Sequence, residues 1–204
     1  MKKVLLVFLG SLVGLFGACD IVLDKKIFNI CYSVKYKAPI VITMTLDKKV
    51  FDVNMKKRMN FKYDNEVDKN AQYSPKAFYG SGYDRGHIAS DSSFDYSKDV
   101  LAETYEMTNV VAQKASFNRG SWKHLENYTR SLVIKYGKIK VTNYNYFNEK
   151  HKNNTFYYPY QMAKMIEHKN GNECYLFDNN DDKKNRKKDF SFAKIDCSKL
   201  NKDI

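Results

Sequence analysis

The chain has 204 residues, a formal net charge of +12, 43% hydrophobic residues and only three prolines. This length suits one ordinary domain with a sizeable core, and the hydrophobic content excludes a disordered, collagen-like or low-complexity chain. Lys and Arg outnumber Asp and Glu by 35 to 23, an excess that favours a polyanionic partner.

Met1-Lys2-Lys3 precedes an uncharged run from Val4 to Ala18, the pattern of a secretory signal with a basic start and an apolar stretch. The run is shorter than the roughly 20 apolar residues of a spanning helix. Residues 1–18 are therefore expected to leave as a signal peptide. Residues 19–204 then form a single secreted or periplasmic domain, whose charge falls by two to +10 without Lys2 and Lys3. Gly17-Ala18-Cys19 also resembles a lipoprotein processing site, and lipid anchoring at Cys19 is the alternative. The cysteines Cys19, Cys31, Cys174 and Cys197 are even in number in a chain read as exported. Disulfides are expected, paired by proximity as Cys19 with Cys31 and Cys174 with Cys197. Lipidation of Cys19 would leave an odd thiol, so the two readings exclude each other. No Cys-x-x-Cys and no His at zinc-finger spacing occurs, which argues against structural zinc.

In chain order, Cys31 to Tyr36 and Pro39 to Leu46 are rich in β-branched and aromatic residues and predict a hairpin. Lys56 to Tyr83 is polar and irregular, with Lys56-Lys57-Arg58, Asp64, Ser74-Pro75 and Gly80-Ser81-Gly82; it predicts a long loop of the kind that carries function. A short helix is expected around Val100 to Tyr105, then a strand or bend at Met107 to Val111. Leu125, Tyr128, Leu132 and Tyr136 recur at helical spacing within Ser121 to Tyr136, and Gly137 supplies a stop. Strands are expected at Lys138 to Thr142, Tyr157 to Ile166 and Glu173 to Phe177. Asn179 to Asp189 contains only Asn, Asp, Lys and Arg and reads as a solvated loop, with phosphate contact as its functional alternative. Strands on both sides of central helices indicate an α+β domain.

The chemistry concentrates in Tyr83-Asp84-Arg85-Gly86-His87-Ile88-Ala89, followed by Asn118-Arg119-Gly120-Ser121-Trp122 and Leu125-Glu126. These runs set a histidine, carboxylates, an amide and arginines in order, groups able to accept a proton and to meet an anionic substrate. His87, with an ordinary pKa near 6.5, can accept a proton from water. Asp84, three residues earlier, either orients that imidazole or pairs with a neighbouring Arg. Asn118, Trp122, Glu126 and Arg130 are spaced by four and share one side of a helix.

These runs resemble the DNA/RNA non-specific endonuclease family, whose members carry a ββα-metal site; the likeness extends from about Cys31 to Phe177. The resemblance implies a ββα-metal nuclease domain with a central antiparallel sheet and flanking helices. It also implies an Mg²⁺-dependent enzyme, with Mn²⁺ as a substitute, that cleaves DNA and RNA to 5′-phosphate and 3′-hydroxyl ends. It further implies that His87 is the general base, Asn118 the direct metal ligand and Glu126 a ligand through water. Eight helical residues span about 12 Å, which agrees with an outer position for Glu126; the plain reading of that residue is a helix carboxylate paired with Lys123 or Arg130. Arg58, Arg85 and Arg130 match arginines that hold phosphate, a task suited to the guanidinium fork. Arg119 belongs to the same substrate-binding set. Asn109 and Gln113 match polar residues near the site, or else satisfy buried backbone groups.

His124, His151 and His168 have no motif around them. Tyr144, Tyr146, Tyr157, Tyr158 and Tyr160 are candidates for base stacking or, more simply, for packing. The chain has Ala89-Ser90 where the family commonly has Ala-Pro, Ala112 where it has Pro, and Thr142-Asn143-Tyr144 in place of Thr-Gly-Pro. The first two changes remove no chemical group and bear on loop rigidity, while the third bears on strand boundaries and substrate handling. Two rival readings are a non-catalytic DNA- or polyanion-binding module and a phosphodiesterase acting on small nucleotides.

Overall fold

The computed structural model describes residues 19–51, 55 and 58–202; the signal-peptide reading of 1–18 and the pair Lys56-Lys57 lie outside the described residues. Strands β1 (Ile21–Asp24), β2 (Phe28–Ser33) and β3 (Ala38–Asp47) form an antiparallel meander. The expected hairpin is present as β2 and β3. Strands β6 (Lys138–Tyr146), β7 (Gln161–His168), β8 (Gly171–Asp178) and β9 (Lys194–Ile195) continue the sheet beside β3, giving the order β1-β2-β3-β6-β7-β8-β9 with every neighbour antiparallel. The fold is α+β, as the element pattern predicted.

Three helical pieces pack on one face: α1 (Lys98–Thr104), the single turn α2 (Ala115–Phe117), and α3 (Lys123–Tyr136). Leu125, Thr129, Leu132 and Val133 of α3 are buried, one stripe at helical spacing. They meet Ile42, Met44 and Leu46 of β3 and Val141 and Ile166 of the central strands in the main core. At its end Trp122 packs edge to face on Phe117 and Phe177, which are themselves tilted against each other, and this fixes the start of α3 against β8. Gly137, at φ 84°, ends the helix where the sequence placed its stop. The other sheet face is covered too, by Ile40, Val41, Tyr144, Met165 and Leu200. That explains why β6 begins with buried residues alternating with exposed ones and ends continuously buried.

Cys19 bonds Cys31, and Cys174 bonds Cys197, the two pairings expected from proximity. Among the described residues no helix is long and apolar enough to cross a membrane.

A second, two-stranded ribbon pairs β4 (Tyr83–His87) with β5 (Val110–Lys114). The long loop from Arg58 to Gly82 is tied to the body of the domain by a buried ion cluster. Lys25 Nζ lies 2.8 Å from Asp64 and 3.1 Å from Glu106, and Thr108 donates to Asp64 at 2.6 Å. The Gln72 amide bonds the backbone of Asp64 and Val67. Pairing keeps these desolvated charges from being costly, and it makes the loop a fixed wall.

Candidate active site

Arg58, Asp84, Arg85, His87, Asn118, Arg119, Glu126 and Arg130 all line one open cleft of about 770 Å³. Its floor is β4, its far wall the start of α3, and its near wall the long loop. The Asp-Arg-Gly-His run is itself the strand β4. Its Gly86 lies so close to β5 that a Cβ there would stand 2.3 Å from Gln113 Oε1, which explains the glycine between the two functional residues.

His87 lies between aromatic rings, 4.9 Å from Phe61 and 4.7 Å from Tyr105 between centroids. Burial there pushes its pKa down to about 4, with Arg58 and Arg85 adding in the same direction and the Asp91 carboxylate opposing. The imidazole is therefore neutral at physiological pH, not half titrated as its ordinary value suggested. Its Nε2 is buried without a hydrogen-bond partner.

Asp84 has the second of its two sequence roles. It does not act as the carboxylate facing His87; its Oδ2 accepts from Asn118 Nδ2 at 2.9 Å and from Arg119 Nε at 2.9 Å, and its Oδ1 accepts from Arg119 Nη2 at 2.6 Å. Because a carboxylate only accepts, the Asn118 amide must present its NH₂ to Asp84. Its carbonyl oxygen is thereby left for another partner. Arg119, read as a substrate contact, lines the cleft and is engaged by this two-point grip.

The carboxylate whose field reaches His87 is Asp91, which the sequence reading did not single out. It accepts from Tyr105 Oη at 2.8 Å and from Ser92 Oγ at 3.1 Å. Burial alone would raise its pKa, but His87, the Tyr105 hydroxyl, Arg58 and Ser92 together hold it below the usual carboxylate range. It lies four positions after His87, in a Ser-Asp-Ser-Ser run that carries no signal beyond a turn.

The three arginines differ in how they are held. Arg85 lies 4.4 Å above the Phe61 ring and donates to the Pro75 carbonyl at 2.6 Å. Arg130 is braced by Asn127 on the preceding turn of the helix. Arg58 is 85% exposed, with Asp91 3.9 Å away, and its guanidinium is the freest of the three. Glu126 is half-buried at the back of the cleft. Burial raises its pKa, against the opposing fields of Lys164 and Arg130.

The kink that delivers Asn118 has a tertiary cause. Asn118–Trp122 forms a wide π-type turn broken at Gly120, and the regular helix begins at Lys123, not Ser121. A Cβ on Gly120 would lie 2.2 Å from the Asn185 carbonyl oxygen. Asn185 is fully buried, and its amide donates to the backbone of Asp178 and Asn180. The segment Asn179 to Asp189 is thus not simply a solvated loop. Its centre is a strap against the kink, while Lys183, Lys184, Arg186, Lys187 and Lys188 remain exposed.

Two expected site residues lie beneath the cleft, not in it. Asn109 is fully buried; it accepts from Ala89 N and donates to the Ala89 and Thr104 carbonyls, the backbone-satisfying alternative. Gln113 is fully buried under Gly86, with neither amide atom partnered. The tyrosines nominated for stacking pack internally: Tyr144 against Tyr146, Tyr158 against Tyr83, Tyr157 against Tyr36. His151 bonds Asn148 and His168 faces Glu173, both away from the cleft.

Residues 14–203 match the family described as DNA/RNA non-specific endonuclease, and the chain belongs to that family. It is 24% identical over 119 residues to mitochondrial endonuclease G of Homo sapiens, a stretch covering 58% of this chain and 40% of that protein. It is 37% identical over 81 residues to a nuclease of Nostoc sp., covering 39% and 30% respectively. The chain thus spans less than half the length of these curated relatives. The crystal structure of the EndoG/EndoGI complex shares the fold, with a TM-score of 0.75 at 21% identity over 87% of this chain and 80% of that one.

Proposed function

We propose that residues 19–204 form a single-domain, Mg²⁺-dependent endonuclease that hydrolyses DNA and RNA with little sequence preference, and that Mn²⁺ can replace Mg²⁺. The observation that carries this reading is the convergence of a neutral His87, the Asp84-oriented Asn118, Glu126 and three arginines in one cleft. The donor set fits a hard cation that keeps most of its waters. Asp84 leaves one amide oxygen of Asn118 free, Glu126 stands further back, and no cluster of three or more His, Cys, Asp or Glu among the described residues suits a softer metal.

When bound, the ion would supply positive charge to the scissile phosphate and the leaving 3′-oxygen. Asn118 would hold it directly, and Glu126 through a water. Since Nε2 of His87 is sealed, Nδ1 is the ring nitrogen open to a water in the cleft. It takes the proton as that water attacks phosphorus opposite the 3′-oxygen; the P–O3′ bond breaks, the 3′-oxygen takes a proton from solvent, and a 5′-phosphate and a 3′-hydroxyl result. Asp91 favours the imidazolium that forms. Arg85, Arg130 and Arg58 bind the non-bridging oxygens, where charge accumulates. None of these groups reads a base edge, so recognition runs through phosphate.

Export is supported by the two disulfides, which persist in oxidising compartments; the Cys19–Cys31 bond uses the thiol that lipid anchoring would need. Supercoiled DNA and ribosomal RNA incubated with the protein and Mg²⁺ test the activity. Nicking followed by dispersed fragments with ligatable 5′-phosphates is expected. Binding without cleavage in either metal would replace the enzyme with a polyanion-binding module, and cleavage confined to dinucleotides would make it a small-nucleotide phosphodiesterase.

A further inference from the structure

Behind the cleft lies a buried cation that the reaction above does not use. Lys164 is on β7 between apolar neighbours, is 3% exposed, and donates from Nζ to Asn143 Oδ1 at 2.6 Å. Its ammonium lies 4.6 Å from the Trp122 ring centroid. A buried ammonium costs several kcal/mol unless it is paired, yet its hydrogen-bond partner Asn143 is neutral. Glu126 is the one carboxylate that lines the same small cavity behind the cleft as Lys164, and it faces the ammonium there without a direct ion pair. The Trp122 indole N–H beside them is buried without a hydrogen-bond partner.

The same buried group reaches the other half of the site. Asn143 and Lys164 stand opposite each other across β6 and β7. Asn143 is fully buried, and its Nδ2 donates at 3.0 Å to the carbonyl of Ile88, the residue after His87. A line of polar contacts therefore runs from the strand of His87 through Asn143 to Lys164, beside Glu126. Nothing in the packing of β7 requires a cation, since a methionine would fill much of the same space.

We propose that Lys164 is a positioning residue of the nuclease site: its fixed ammonium, anchored by Asn143, holds the Glu126 carboxylate toward the metal-binding end of the cleft. The inference rests on the nuclease reading of Glu126. Residues that orient a ligand from behind contribute about 10–100-fold in metal affinity or activity. Lys164→Met removes the charge and the donor, whereas Lys164→Gln keeps a donor for Asn143 and removes only the charge.

The test is a double-mutant cycle with Glu126→Gln, reading kcat and KM on DNA and, independently of activity, Mn²⁺ binding by electron paramagnetic resonance. Both Lys164 variants should lower kcat about 10–100-fold with little change in KM and weaken Mn²⁺ binding about tenfold, while thermal unfolding shows them folded. In the Glu126→Gln background neither should add more than about twofold. Equal losses in both backgrounds, or unchanged Mn²⁺ binding, would overturn the proposal and leave Lys164 a packing residue. If Lys164→Met does not fold, Lys164→Gln decides alone. Full activity in Glu126→Gln by itself would instead overturn the role of Glu126, and the proposal with it.

Discussion

Replacing Gly120 by alanine places a methyl group 2.2 Å from the Asn185 carbonyl oxygen, 3.0 Å from Arg186 Cα and 3.1 Å from Asn185 C. All three are backbone atoms, so no side-chain rotation relieves the contact. Roughly 1 Å of separation must come from moving the strap or the kink. The strap is held by the Asn185 amide, which bonds Asp178 O at 2.9 Å and Asn180 Oδ1 at 2.8 Å, and by Ser121 Oγ, which donates to Asn185 O at 3.2 Å. Overpacking of this kind costs about 1–3 kcal/mol, and loss of one buried hydrogen bond adds about 1 kcal/mol. A destabilisation of about 3 kcal/mol in a domain of this size lowers Tm by roughly 6–12 °C. Because Asn118 lies in the same turn, kcat should fall further than the unfolded fraction explains. Calorimetry and plasmid nicking on Gly120→Ala, compared at a temperature where both proteins are folded, measure the two effects. An unchanged Tm with unchanged kcat would refute the claim that the strap sets the kink.

Other outcomes follow from burial and charge. The pKa of His87 is lowered by burial to about 4 from an unfolded value near 6.5. Its contribution to stability is therefore complete above pH 6.5 and is lost as pH falls from 6.5 toward 4, by about 3 kcal/mol; denaturation of wild type and His87→Ala across that range should show it. For the same reason the acid limb of kcat/KM that belongs to His87 should lie well below pH 6.5, and a limb centred at 6.5 would contradict the aromatic packing of the ring. The disulfides close 12- and 23-residue separations, and each should contribute about 3 kcal/mol, seen as a lower Tm for Cys174→Ser/Cys197→Ser. Asn109→Ala, which removes three buried hydrogen bonds, should cost about 2–3 kcal/mol of stability and act on activity only through unfolding. Arg85→Ala should leave the fold intact while reducing the salt dependence of DNA binding by about one phosphate contact.

Local patterns carried much of this architecture into the sequence. The β-branched run before Asp47, the helical stripe through Leu125 and Leu132, and the stop at Gly137 all reflect neighbours close in the chain. The disulfide pairings were legible because each pair is close in sequence. The strand character of Asp84-Arg85-Gly86-His87 was hidden because this ribbon borders the cleft, so its polar residues do not alternate with a core face as in a half-buried strand. The helix kink arises from Asn185, 65 positions beyond Gly120, and no periodicity near Gly120 announces it. The same distance made Asn179 to Asp189 look wholly solvated, since two buried asparagines, Asn179 and Asn185, among charged residues leave no compositional trace. Asp84 was recognisable as a functional residue, but its partner was decided by which way β4 faces; it meets Asn118 and Arg119, while Asp91 faces His87. The neutral state of His87 depends on Phe61 and Tyr105, neither adjacent to it in sequence.

The most direct test of the central claim is single-turnover cleavage of closed circular plasmid by residues 19–204 in Mg²⁺, run beside an EDTA control, His87→Ala and Asn118→Ala. Wild type should open the circle, EDTA should stop it, and His87→Ala should slow it by about 10²–10⁴-fold without loss of plasmid binding. Asn118→Ala should be partly restored by raising the Mg²⁺ concentration, whereas His87→Ala should not. Cleavage by His87→Ala at the wild-type rate, or by the wild type in EDTA, would contradict a metal-assisted site with His87 as its base.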